Sequence, residues 1–154
     1  MEELDDGDKK LLSDIEKYGW HVLLIPEEND EPGFGFSVGL YKSFGHPEIL
    51  IIGLNQHLIH TVINNMGDDI KNGKKFNNKV WEDDILEGHK CVMLEVPKKD
   101  YKEYLGYAMW YYKGDEFPVL QFIYPTVKGL FPWQNNFPEE IKKTMIVLGD
   151  TSDL

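Results

Sequence analysis

Ser37, His46 and Glu48 lie close together in the chain and carry a nucleophile, a base and an acid. Written as a catalytic set, His46 is the base and Glu48 or Ser37 assists, which is hydrolase or transferase chemistry. Order in sequence does not make a triad, because the roles are defined by geometry. The letters Gly35–x–Ser37–x–Gly39 spell the glycine–x–Ser–x–glycine of a nucleophile elbow, but the alternation here reads as a strand, whereas the elbow exposes its Ser on a strained strand-to-helix turn. Other readings of the same residues stay open. Ser37 is a small residue on a crowded strand face, His46 is a turn residue bonded to backbone, and Glu48 caps or pairs locally.

A second group of residues suits binding rather than bond-making. Gln121 and Tyr124 sit in and at the end of an apolar run, and Lys128, Phe131 and Trp133 follow in the loop PTVKGLFPWQNNF, 125–137. Flat aromatic faces accept a base or another ring, and a lysine meets a phosphate or carboxylate. Trp20 is a further candidate for that wall. The alternative is a loop folded over one end of a sheet, burying its rings as a satellite cluster.

Several other patterns carry less. His57 and His60 fall off the apolar stripe of their helix and lack the further ligands a metal centre needs, so no metal is expected. Cys91 lies in the apolar run CVMLEV and reads as a core residue. Being the one cysteine, it excludes an internal disulfide. The neighbouring carboxylates Asp83–Asp84 and Glu139–Glu140 point apart and read as solvated charge. Neither a dinucleotide fingerprint nor a P-loop occurs, and no cofactor is expected.

The elements that must position these groups follow from periodicity. Residues 34–40, FGFSVGL, alternate apolar and small side chains, the pattern of a strand. Gly35, Ser37 and Gly39 leave the second face nearly bare, which implies a bulge, or close approach of another backbone or of a ligand. YKSFGHPE, 41–48, is a turn, and ILII, 49–52, suits a strand buried on both faces. WHVLLIP, 20–26, precedes them and forms a hairpin with 34–40. Helices are expected over 8–18 with Asp8 as N-cap, over 55–66 with Asn55 as N-cap and Gly67 as the stop, over 98–112, and over 139–148 with Pro138 at its first turn. Residues 80–86 are ambiguous, while 89–96 and 119–124 are strands.

This pattern predicts an α+β fold: a single compact domain spanning 1–154, core about 8–148, with a mainly antiparallel or mixed sheet and two to four helices. Residues 1–7 and 150–154 are expected to fray. The net charge of −11 disfavours nucleic acid and anionic membrane as partners. No apolar stretch approaches the roughly 20 residues of a membrane span. The N-terminus is acidic, so a cytoplasmic location is expected, with a bacterial or phage source fitting equally.

Taken in order, FSVGL (36–40), GHPE (45–48), the run ending in Gly53–Leu54, Gln121, and the G-x-F-P-W of 129–133 resemble an uncharacterised bacterial family, domain of unknown function 4262. The resemblance covers roughly 19–133. In that family the last strand usually ends in a W-P-D-like triplet. Here the triplet is Tyr124–Pro125–Thr126, which removes a carboxylate. The resemblance implies no activity. It implies a compact cytosolic domain whose recurring polar and aromatic residues line one site.

The leading expectation is non-catalytic binding of a small, ring-bearing, nucleotide-like ligand through Ser37, His46, Glu48, Gln121, Tyr124, Lys128, Phe131 and Trp133. One version is sequestration of a nucleotide signal, by analogy with small acidic phage proteins. The alternatives are the hydrolase or transferase described above, and a protein-interaction module whose acidic surface docks a basic partner such as a toxin or effector. Oligomeric state is left open.

Overall fold

A computed structural model describes residues 4–154. Six strands form one mixed sheet: β1 (His21–Ile25), β2 (Phe34–Val38), β3 (Glu48–Ile52), β4 (Trp81–Leu86), β5 (His89–Glu95) and β6 (Val119–Ile123). Their spatial order is β1-β2-β3-β6-β5-β4. The central β3–β6 pair is parallel, with Glu48 opposite Val119 and Leu50 opposite Gln121. Every other neighbouring pair is antiparallel. The expected α+β fold with a mixed sheet is the observed one, and β1 and β2 form the expected hairpin.

Helices cover both faces. α1 (Asp6–Tyr18) and α3 (Gln56–Lys71) are the long ones; α2 (Leu40–Phe44), α4 (Tyr101–Tyr104), α5 (Gly106–Tyr112) and α6 (Glu139–Lys142) are short. Strand alternation sends Ile49, Ile51, Cys91, Met93, Leu120 and Phe122 to one face, where they meet Ile59, Val62, Ile63, Met66 and Ile70 of α3. The intervening Phe36, Val38, Leu50, Ile52, Val96 and Val119 pack with Leu11 and Ile15 of α1 and with Tyr101, Tyr104, Leu105 and Ala108. Cys91 is fully buried. Burial alone pushes its thiol up to about 12, which leaves it protonated and inert.

Four local expectations are corrected. The N-cap of α1 is Asp5, in a reciprocal capping box with Asp8. The helix thus begins ahead of Asp8, and of the expected frayed end only residues 1–3 lie outside the described residues. Gly67 does not stop α3. A Cβ there would sit 2.5 Å from the Trp20 ring, so this glycine lets the helix lie against an indole. Residues 98–112 break into a 3-10 turn (Lys98–Asp100), α4 and α5. The closing helix is only Glu139–Lys142, because the chain beyond it extends to meet the sheet. There Gln121 holds the Ile146 carbonyl at 2.6 Å and accepts the Leu148 amide at 2.9 Å. The ambiguous stretch is strand β4 and forms a sheet edge.

Candidate functional site

The bare face of β2 is filled by the protein itself. A Cβ on Gly35 would lie 2.5 Å from Ile59 of α3, and one on Gly39 would lie 2.6 Å from the Gly19 carbonyl. Gly39 also takes the left-handed conformation, φ 116°, where the strand turns into α2. Close backbone and helix approach, rather than a ligand, explains these glycines.

At that turn Ser37 and Glu48 come together. α2 starts at a glycine, which has no side chain to cap the first amides. Glu48 supplies the acceptor from β3. Its carboxylate takes the amide N–H of Gly39 at 3.0 Å, of Leu40 at 3.2 Å and of Tyr41 at 3.2 Å. Ser37 Oγ donates to it at 2.8 Å, and the Tyr112 hydroxyl donates to it from α5. Ser37 in turn accepts the Ile49 amide at 2.9 Å, and Tyr112 accepts that of Lys42 at 3.3 Å.

Both Glu48 and Ser37 are fully buried. Burial pushes the Glu48 carboxyl up from its ordinary range, while Tyr112, Ser37 and the amides of Tyr41 and Gly39 pull it back. The hydrogen inventory decides which form fits. The three amides can only donate, and both hydroxyls already accept an amide and direct their own proton at Glu48. A proton on Glu48 could face only a hydroxyl oxygen, whose own proton would then lose the acceptor it has, so the cradle suits a carboxylate. Burial and the adjacent carboxylate push the Tyr112 hydroxyl up, which keeps it a donor.

His46 stands apart from this node. A backbone N–H can only donate, so the Phe76 amide 3.0 Å from Nε2 makes that nitrogen an acceptor. The Pro47 carbonyl, 2.8 Å from Nδ1, makes the other a donor. His46 is therefore the neutral Nδ1–H tautomer with both nitrogens committed. Burial lowers its tendency to take a proton, and Lys75 adds to the effect.

The ring borders a cleft of about 320 Å³ between the end of α2 and the 72–80 loop. Phe44, Pro47, Phe76 and Pro118 provide apolar wall, and Lys74, Lys75, Asn77, Asn78 and Glu95 provide polar groups. Lys74 is held by Glu82 at 2.8 Å. These loop residues were missed from sequence. Their polar, Asn-rich composition reads as plain loop, and only the fold sets them against the GHPE turn.

Apart from Gln121, at the middle of β6 opposite Leu50 and Leu94, the second group lies at or beyond the other end of that strand. From Val119, beside Glu48, to Tyr124 is roughly 17 Å of strand. Tyr124 is buried and donates to the Ile52 carbonyl at 2.8 Å, next to Gly53. Gln121 is spent on the C-terminal segment. Phe131 packs on Val92, Leu94 and Ile123, with Trp133 stacked on it at 4.9 Å and 17°. Trp81 of β4 meets both rings edge-on at 5.2 and 6.4 Å. Thr126, where the triplet departs from the expected pattern, accepts the Leu130 amide through its hydroxyl. Lys128 is exposed on that turn. Trp20 is elsewhere, under α3, with its indole N–H on Asn64 at 2.9 Å. The aromatic loop thus covers one face of the sheet over β4, β5 and the last part of β6.

Of the eight residues singled out for ligand binding, the structure joins Ser37 to Glu48 in one buried node, leaves His46 on the nearby cleft, sets Gln121 at the middle of β6, and places the other four at or beyond its far end. His57 and His60 are exposed on α3. Among the described residues no helix is long and apolar enough to cross a membrane.

Neither a curated protein nor a solved structure gives a match to this chain. A family pattern does, over residues 14–138, from α1 to the end of the aromatic loop. That match takes in the glycine-flanked strand, the Glu48 cradle, the His46 turn and the Trp133 cap together, and by it the chain belongs to the family described as domain of unknown function (DUF4262).

Proposed function

We propose that this domain binds a small, ring-bearing, anionic ligand in the cleft beside His46, without catalysing a reaction on it. Nucleotide-derived molecules are the first class to test. The observation that carries this reading is the pair Lys74–Lys75 on the rim of a cleft of about 320 Å³, in a chain whose net charge is −11. That volume lies at the lower end of the range for small-ligand sites. Phe44, Pro47 and Phe76 offer the ring an apolar wall, and Asn77 adds an amide for orientation. Glu95 on the same rim selects against a second negative group on that side.

Binding is favoured over catalysis by the state of His46. Both ring nitrogens are engaged, so the residue best suited to be a general base has no free lone pair. Ser37 is equally committed, to Glu48 and to Ile49.

The test is native mass spectrometry and calorimetry with nucleoside mono- and diphosphates, on the natural chain and on Lys75→Glu. Lys75 is exposed, so its replacement leaves folding intact. Losing a charge-assisted contact costs about 1.5–3 kcal/mol, so affinity should drop roughly 10- to 100-fold. Binding indifferent to the charge reversal, or no adduct with any anion, refutes the reading. An adduct that is consumed and replaced by another mass shows an enzyme instead.

A further inference from the structure

The 72–80 loop forms one wall of the cleft. Its ends are tied by backbone bonds: Gly73 N–H to Ile70 O and Lys74 N–H to Asp69 O on one side, Lys79 N–H to Met93 O on the other. Between them the Phe76 amide, on His46 Nε2, makes its hydrogen bond to a titratable ring. The Phe76 ring lies edge-on to that imidazole, centroids 5.9 Å apart.

We propose that His46 is a proton-sensitive latch on this wall: protonation at Nε2 puts a hydrogen where the Phe76 N–H must point, releases the amide and opens the cleft. The idea rests on the binding reading above only for its consequence, which is that low pH discharges the ligand.

The chemistry follows from the tautomer. A neutral Nδ1–H imidazole satisfies both partners, and an imidazolium has two donors facing one acceptor and one donor. The surroundings oppose the cation. Lys74 and Lys75 line the cleft from the loop itself, and Glu95 of β5 is the acidic group there. The residues lining it from α2, α3, β6 and the position just before β6 (Phe44, Ile70, Val119, Leu120, Pro118) carry no charge. Glu48 is taken up by its own five donors. Burial and Lys75 hold the folded His46 below its ordinary value. The latched state is thus fully favoured above about pH 6.5, the unfolded value, and is lost as pH falls through the folded one.

The experiment follows the His46 ring protons and the Phe76 amide by NMR on the ligand-free protein, from about pH 7.5 to about pH 5. Phe76 protection against exchange should fall at least tenfold, with the same midpoint as the His46 ring. In His46→Gln the side-chain carbonyl accepts the Phe76 N–H without titrating, and protection should stay flat. A His46 titration that leaves Phe76 protected overturns the latch, as does an unchanged midpoint in His46→Gln. Should that variant not fold, the natural chain decides alone through the coincidence of the two titrations. The same nucleoside mono- and diphosphates, added at each pH, separate this idea from the one beneath it. Co-titration with no binding at any pH upholds the latch and refutes the ligand; binding without co-titration does the reverse.

Discussion

Two regions along β6 are covered with opposite chemistry. Beside Val119 the cover is polar: one buried carboxylate gathers Ser37, three amides and Tyr112 from β2, α2 and α5. Over Val92, Leu94 and Ile123 it is apolar, provided by Phe131, Trp133 and Trp81. The polar node is directional and has one satisfied arrangement, so each member depends on the rest. The aromatic cap is non-directional and half open to water, so it loses area in proportion to what is removed. Residues that look like catalysts therefore hold the first region together, and residues that look like a ring-binding wall cover the second.

Three substitutions test that contrast by urea unfolding. Glu48→Ala should be the most damaging. It strands five donors in a fully buried space, at a cost of about 3 kcal/mol or more, read as loss of the folded protein at modest urea. A cost under about 1 kcal/mol would mean water replaces the carboxylate, and the node is not closed. Trp133→Ala removes a stacked but half-buried ring, worth about 2 kcal/mol with area and stacking combined. A loss as large as that of Glu48→Ala would make the cap as cooperative as the node. Tyr112→Phe keeps the ring stacked on Phe117 and deletes one donor, for about 1 kcal/mol. No change at all would show that the phenol is a bystander and that four donors suffice for Glu48.

Much of the fold could be read from residue spacing. Period-two alternation located β2, apolar runs located β5 and β6, and the apolar stripe of α3 with Asn55 ahead of it located the longest helix. Gly67 was misleading because glycine after an apolar run signals a stop, whereas its actual duty is contact with Trp20, whose side chain comes from far away in sequence. The 98–112 stretch was misleading for a related reason. Its helical spacing is genuine, but Leu105 leaves helical geometry, φ −121° and ψ 33°, and the helix breaks there.

The site was legible in its members and not in their roles. Ser37, His46 and Glu48 stood out by type, and the structure does assemble Ser37 with Glu48. What spacing could not say is that Glu48 caps a helix that begins at a glycine, or that His46 gives both nitrogens to backbone. It could not say either that Lys74, Lys75 and Phe76, from a loop that reads as featureless, complete the cleft.

The sequence by itself determined local conformation, burial and class: which segments alternate, which stripe is apolar, that the chain is acidic and forms an α+β domain. Those properties depend on neighbours a few residues apart. Only the tertiary structure decided which polar groups meet. A hydrogen bond needs partners within about 3 Å. The Phe76 amide reaches His46, and the Tyr112 hydroxyl reaches Glu48, because a parallel β3–β6 pair and its flanking helices bring distant segments to one sheet end.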